Sequence, residues 1–217
     1  AREIFLVEDT TSLDFTTHYM TEGLGRIGDD GGTGFHLYST LALRVERWDE
    51  EIDPQVTLVG LFAQQCWART MPTIGRGKEK KARRLNRDRE SQRWAAALDV
   101  GEGPPGGTRW TYVADRESDI YEVFEKCRSR GVDWIVRANQ PRALAAADGS
   151  VFTTVAASAG LGSYSLDLRA RPGQKRRTAR IEVRAVRTTL RGPWRPGGAR
   201  APAEMNVVEA REVDAPA

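Results

Sequence analysis

The run from Trp110 to Arg137 constrains the fold more than any other part of the sequence. Trp110 to Ala114 is apolar and β-rich, Asp115 to Asp119 is mostly charged, and Ile120, Val123, Phe124 and Cys127 then recur at the spacing of one helix face. Asp119 and Glu122 are placed as an N-cap and its box partner, Gly131 is placed to stop the helix, and Asp133 to Arg137 forms another apolar strand. Strand, helix and strand in so short a span predict a crossover between parallel neighbours.

The first half adds strands of a different kind. Ile4 to Val7 is an apolar strand, followed by a turn-rich stretch from Asp9 to Ser12 and a polar, glycine-rich connection from Gly23 to Gly34. Phe35, Leu37, Leu41 and Leu43 alternate with His36, Tyr38, Thr40 and Arg44, the period of a half-buried strand. Val56 to Trp67 is a third strand, reached through a charged turn around Trp48 to Pro54. Successive strands with short connections predict an antiparallel meander. From Arg76 to Arg89 the chain is strongly basic, a solvated loop or helix start; Trp94, Ala97 and Leu98 then fall at helical spacing before the Gly/Pro cluster from Gly101 to Gly107. The expected fold class is α/β, with a mixed sheet.

Beyond about Ala147 helical periodicity disappears. Tyr164, Leu166 and Leu168, then Ile181, Val183 and Ala185, alternate as short strands, so residues 1–147 are expected to form the α/β core and 148–217 a separate β-rich module. From Arg169 to Arg200 basic residues face Glu182 as the sole acid in sequence, a pattern that suits either a phosphate-facing surface or a solvated face. Charge over the whole chain argues little, since 33 Lys+Arg stand against 30 Asp+Glu. No stretch approaches the ~18 apolar residues of a membrane span and no signal peptide opens the chain, so a soluble, cytoplasmic protein is expected. Cys66 and Cys127 lack metal-ligand spacing and are expected to be reduced and structural. The absence of an initial Met and the strand-like close around Asn206 to Val208 suggest a fragment.

The local feature with most chemical meaning is a carboxylate after each of two apolar strands: Glu8-Asp9 after Phe5 to Val7, and Asp115 after Tyr112 to Ala114. If those strands are neighbours, Asp9 and Asp115 converge at a sheet end, and carboxylates that close repel unless a proton or cation intervenes. Hard oxygen ligands favour Mg²⁺ or Mn²⁺. The same residues also suit ordinary turn chemistry, Asp9 before Thr10-Thr11-Ser12 and Asp115 ahead of the Asp119 cap. Gly28 to Gly34 precedes a strand, Gly75-Arg76-Gly77-Lys78 lacks phosphate-loop spacing, and His18 and His36 lack metal-ligand spacing.

Glu8-Asp9-Thr10-Thr11-Ser12 after one strand, Gly34-Phe35-His36-Leu37 opening the next, and Asp115-Arg116-Glu117-Ser118-Asp119-Ile120 after a later one resemble the insertion-sequence-four group of bacterial DNA transposases. Gly60-Leu61-Phe62 with Trp67, Glu90-Ser91 with Trp94, and Trp134-Ile135-Val136-Arg137 ahead of Pro141-Arg142 extend the resemblance from Ile4 to about Arg142. It implies a ribonuclease-H-like core interrupted by a β-rich insertion, and an active site in which Asp9 and Asp115 hold two Mg²⁺ or Mn²⁺ ions. It also implies double-stranded DNA as partner and a homodimeric complex in the complete protein. The family's third acid is a Glu on a later helix within a Tyr, Arg, Glu, Lys pattern that nothing here matches; Glu204, Glu209 and Glu212 lie in or beside strand-like sequence. Candidate DNA contacts are Arg116, Arg137 and Arg142 near the site and Arg176, Arg177 and Arg180 in the module. Competing readings are another ribonuclease-H-like nuclease or resolvase, and a remnant that binds DNA without cutting it. The missing third-acid helix predicts that one face of the sheet is left bare.

Overall fold

The computed structural model describes residues 2–28, 31–46, 55–69, 92–146, 148–195 and 197–215. The expected basic run from Arg76 to Arg89, the Glu90-Ser91 pair, the Gly75 to Lys78 segment and the turn from Trp48 to Pro54 lie outside the described residues. The chain divides into two compact units, Ala1–Asn139 and Gln140–Ala217. This boundary precedes the expected division after residue 147, because residues before that point pair with the module: Leu144 bridges Leu190, and Ala145 N donates to Thr189 O.

The first unit is a mixed α/β layer. Its elements are β1 (Arg2–Asp14), β2 (Gly25–Ile27), β3 (Gly32–Val45), β4 (Val56–Trp67), α1 (Gln92–Ala97), β5 (Thr108–Ala114), α2 (Tyr121–Arg130) and β6 (Asp133–Val136), with a 3-10 turn at Arg116–Ser118. The sheet runs β2-β3-β1-β5-β6, and β4 also pairs with β3. β1, β3 and β4 form the expected antiparallel meander, whereas β5 and β6 join parallel through the α2 crossover. Gly131, at φ 65°, closes α2: its N–H and that of Val132 return to the carbonyls of Arg128 and Cys127, a left-handed cap that glycine adopts without strain.

Two local expectations are overturned. The turn-rich stretch from Asp9 to Ser12 is strand, since β1 continues to Asp14 against β3, with Thr10 opposite Tyr38 and Ser12 opposite His36. Thr10 and Thr11 are β-branched and suit the pleat once a partner strand is present. Asp119 does not cap α2. The N-cap is Ile120, with no side-chain bond, and the buried Asp119 carboxylate instead accepts from Asn139 N at 2.7 Å. The cap at this junction is Asp115, which serves the preceding 3-10 turn.

Alternation splits the strands into two faces of unexpected character. Leu6, Glu8, His36, Tyr38, Thr40 and Tyr112 share one face and are buried. α1 and α2 cover it: Arg93 lies over Trp67 at 4.9 Å, Trp67 stacks on His36, and Phe124 stacks on Trp134 at 5.8 Å. The opposite face carries Leu41, Leu43, Leu58, Leu61, Val113 and Ile135. There Leu58 and Leu61 are 61% and 55% exposed, in keeping with the expected bare face.

The second unit contains α3 (Val151–Ala156), β7 (Gly160–Leu168), β8 (Arg177–Leu190), β9 (Trp194–Arg195), β10 (Gly198–Ala199) and β11 (Ala203–Val213). Its main sheet is antiparallel, in the order β11-β8-β7. Helix does not vanish after Ala147: Ser150 and Thr153 form a capping box that starts α3, a helix too short for periodicity to reveal. Val151, Val155, Leu144, Ile181, Leu190 and Ala203 form this unit's buried core. Among the described residues no helix is long and apolar enough to cross a membrane.

Exposed leucines on a sheet face favour association. The chain is expected to self-associate with rising concentration, and Leu58→Lys with Leu61→Lys is expected to reduce this while shifting stability by no more than about 0.5 kcal/mol, as is usual for exposed positions. Sedimentation velocity across a concentration series checks it; unchanged association in the double variant would contradict the assignment of this face.

Candidate active site

β1 and β5 are parallel neighbours, with Phe5 opposite Thr111, Leu6 opposite Tyr112 and Val7 opposite Val113, where their ladder ends. Asp9 and Asp115 each follow two residues later. Asp9 stays in β1, opposite Ser39 of β3, while Asp115 continues the extended path of β5 at φ −78°, ψ −167°. Adjacent strands lie about 4.8 Å apart, so the two acids, both exposed, stand at the same end of neighbouring strands. Arg137 N donates to Ala114 O at 3.2 Å, which sets Arg137 beside the same strand end, and Arg116 follows Asp115 directly.

Each carboxylate is partly engaged by local backbone. Asp9 Oδ1 accepts from Thr10 N at 2.9 Å, and Asp115 Oδ1 accepts from Glu117 N at 2.8 Å. Turn chemistry is therefore real at Asp115, but it uses one oxygen; the second oxygen of each exposed carboxylate has no protein partner among the described residues. Two exposed carboxylates with open oxygens fit a hard cation that keeps much of its water, as Mg²⁺ does. Among the described residues no three His, Cys, Asp or Glu side chains are grouped to hold a metal ion.

Glu8 lies on the opposite face from Asp9 and is buried. Its Oε1 accepts from Ser118 Oγ at 2.5 Å, and Ser118 Oγ is 3.1 Å from Tyr112 Oη. Burial is the main cause that pushes the Glu8 carboxyl up from 4.5 to about 7; the Ser118 and Tyr112 hydroxyls oppose the rise, and the charges of Asp115 and Asp9 add to it. That both aspartates act on Glu8 places three carboxylates in one electrostatic neighbourhood. Burial also raises the Tyr38 hydroxyl to about 12, the nearby Glu8 charge adding to it, and raises Tyr112 further. The Tyr38 hydroxyl is buried beside Thr40 and Tyr112 without reaching hydrogen-bond geometry with either.

No protein-family model and no curated protein matches the chain. The chemistry of the site therefore rests on the residues themselves. Ser118 and Tyr112 were given no role from sequence, and Glu8 was read only as the neighbour of Asp9 in the Glu8-Asp9 pair. The available signal was alternation, which puts Glu8 opposite Asp9 across the sheet.

The remaining candidates are distributed differently. Arg116 and Arg137 belong to the first unit; Arg142, Arg176, Arg177 and Arg180 belong to the second. The module is less one-sided in charge than its sequence implies, because Asp167, Glu204 and Glu212 reach the basic run from outside it, while Glu182 pairs within its own strand. Arg176 meets Asp167 at 3.3 Å, Arg177 meets Glu212 at 2.9 Å, Arg184 meets Glu182 and Arg187 meets Glu204, each at 2.8 Å, while Arg180 donates to Ser163 Oγ. Exposed pairs of this kind contribute roughly 0–1 kcal/mol. Glu204 and Glu212 are thus ion-paired strand residues. His36 is a buried strand residue whose Nδ1 lies 3.3 Å from Ser12 Oγ, and His18 sits in an exposed turn.

Between pH 4.5 and about 7 the folded chain keeps a proton on Glu8 that the unfolded chain has released. This group's contribution is therefore most favourable below 4.5 and is lost as pH rises through 7, by about 3 kcal/mol in all. Glu8→Gln keeps an acceptor and removes the titration, so the variant is expected to lack this downward slope and to exceed the parent chain in stability at pH 8. Urea melts at pH 5 and pH 8 measure it; parallel pH dependence in both proteins would refute the assignment.

Proposed function

We propose that this chain carries the two-aspartate part of the active site of a DNA transposase of the two-metal, three-carboxylate class. The sheet is read as ribonuclease-H-like and the second unit as the β-rich insertion that interrupts it. The observation that carries the reading is the parallel pairing of β1 with β5, which brings Asp9 and Asp115 to one end of adjacent strands. In this reading Asp9 and Asp115 hold Mg²⁺ or Mn²⁺ through their open oxygens. Bound there, two such ions would supply activation of a water and stabilisation of the leaving oxygen at a phosphodiester. Arg116 and Arg137 orient the phosphate beside the carboxylates, and a freed 3′ hydroxyl then attacks the second strand and later the target.

The partner is double-stranded DNA, held in the complete protein by a homodimer, in the bacterial cytoplasm. Arg169, Arg171 and Lys175 are exposed around the Pro172-Gly173 turn and have no acid partner among the described residues, so they supplement Arg142, Arg176, Arg177 and Arg180 as phosphate contacts. A second reading, a transposase-derived chain that binds DNA without cutting it, is favoured because among the described residues no third acid joins the two aspartates. A resolvase or another nuclease on a similar sheet gives the basic second unit no role.

DNA binding is expected to be sequence-tolerant and steeply salt-dependent, with a logarithmic slope of about −0.9 per neutralised phosphate. Fluorescence anisotropy between low and high salt tests this, and an unchanged binding constant would defeat it. With Mn²⁺ the chain alone is expected not to nick transposon-end DNA. Metal-dependent nicking abolished by Asp115→Ala would establish the activity and show that two aspartates suffice.

A further inference from the structure

We infer that Ser118 and Glu8 act as positioning residues, a buried link that holds Asp115 in place opposite Asp9; this rests on the metal-binding reading of the two aspartates. The β1–β5 ladder ends at Val7 and Val113, so no backbone rung joins the strands at the level of the acids. Asp115 is tied locally, to Glu117 N, and that bond fixes the turn to itself without fixing it to β1.

Ser118 supplies the missing connection. Its hydroxyl, fully buried, donates to Glu8 Oε1 of β1 at 2.5 Å and lies 3.1 Å from Tyr112 Oη of β5. A serine hydroxyl has one proton. Given to Glu8, it leaves Ser118 as the acceptor for Tyr112, so the chain of bonds runs from β5 through the 3-10 turn to β1. Asp119 N to Arg116 O at 3.3 Å and Ile120 N to Ser118 O at 2.7 Å stiffen the turn, so that fixing Ser118 also fixes the Asp115 cap. Hydrogen bonds to charged or buried partners are the ones that hold geometry, and groups behind metal ligands commonly set affinity by orientation.

The test uses the 217-residue chain and reads Mn²⁺ affinity by electron paramagnetic resonance, at a temperature where melting curves show every protein folded. Ser118→Ala and Glu8→Leu are expected to weaken Mn²⁺ binding about tenfold, the lower end of what removing such a supporting group costs. Glu8→Gln, whose amide oxygen still accepts from Ser118, is expected to remain close to the parent affinity, which separates the bond from the carboxylate's charge. Asp9→Asn and Asp115→Asn serve as controls and should lose binding. If they lose it while Ser118→Ala and Glu8→Leu keep full affinity, or if Glu8→Gln falls as far as Glu8→Leu, the link has no positioning role and the metal site stands. If Mn²⁺ binding survives both aspartate substitutions, the metal-site reading itself fails and the link with it. Should Glu8→Leu not fold, Ser118→Ala, which removes one hydroxyl, carries the test.

Discussion

The parallel ladder between β1 and β5 is the constraint on which the rest of the first unit depends. β1 has an antiparallel neighbour on one side and a parallel one on the other, and it outlasts the parallel one. Past Val7 it continues along β3 to Asp14, while the chain leaving β5 turns at Asp115 into the 3-10 turn and α2. The carboxyl ends of parallel strands are where α/β sheets place their chemistry, and Asp9 and Asp115 each lie just past the last rung of this ladder.

The covered face of the sheet is unusual in what it buries. Leu6 and Tyr112 share it with Glu8, His36, Tyr38 and Thr40, and among the described residues the hydroxyls of Thr10, Tyr38 and Thr40 and the His36 Nε2 meet no hydrogen-bond partner. Each such atom costs about 1–3 kcal/mol relative to a satisfied one. A face of this kind stabilises less than an apolar one of equal area, but its hydroxyls and carboxylate can order the site behind the acids. The apolar face, with Leu41, Leu58 and Leu61, meets solvent instead. Marginal stability and a tendency to associate are physical consequences of that inversion.

In the second unit antiparallel pairing acts on electrostatics as much as on shape. β8 lies between β7 and β11, so Asp167 on one side and Glu204 and Glu212 on the other reach arginines distant in sequence. Exposed ion pairs of this sort contribute little to stability. The hairpin around Gly173, at φ 78°, has the two reciprocal bonds between Arg171 and Gln174 that a tight Pro-Gly turn allows, and it leaves Arg169, Arg171 and Lys175 in solvent.

What the sequence determined by itself was whatever short-range periodicity encodes. The α2 face of Val123, Phe124 and Cys127, the Gly131 stop, the Val56 to Trp67 strand and the parallel crossover after Asp115 were all legible, because each is fixed by residues within one element or its immediate flank. The two aspartates were legible as acids following apolar strands. Tertiary structure decided the rest. Period two in β3 named two faces but not which is covered, and packing under α1 and α2 chose the His36, Tyr38 and Thr40 side. The Thr10 to Ser12 stretch became strand through pairing with β3, and α3 was too short to show a period. The bond from Ser118 to Glu8 joins residues 110 positions apart, and Asp167, Glu204 and Glu212 reach the module's arginines from outside the basic run. Such contacts depend on which strands become neighbours, a property of the whole sheet that no local spacing records.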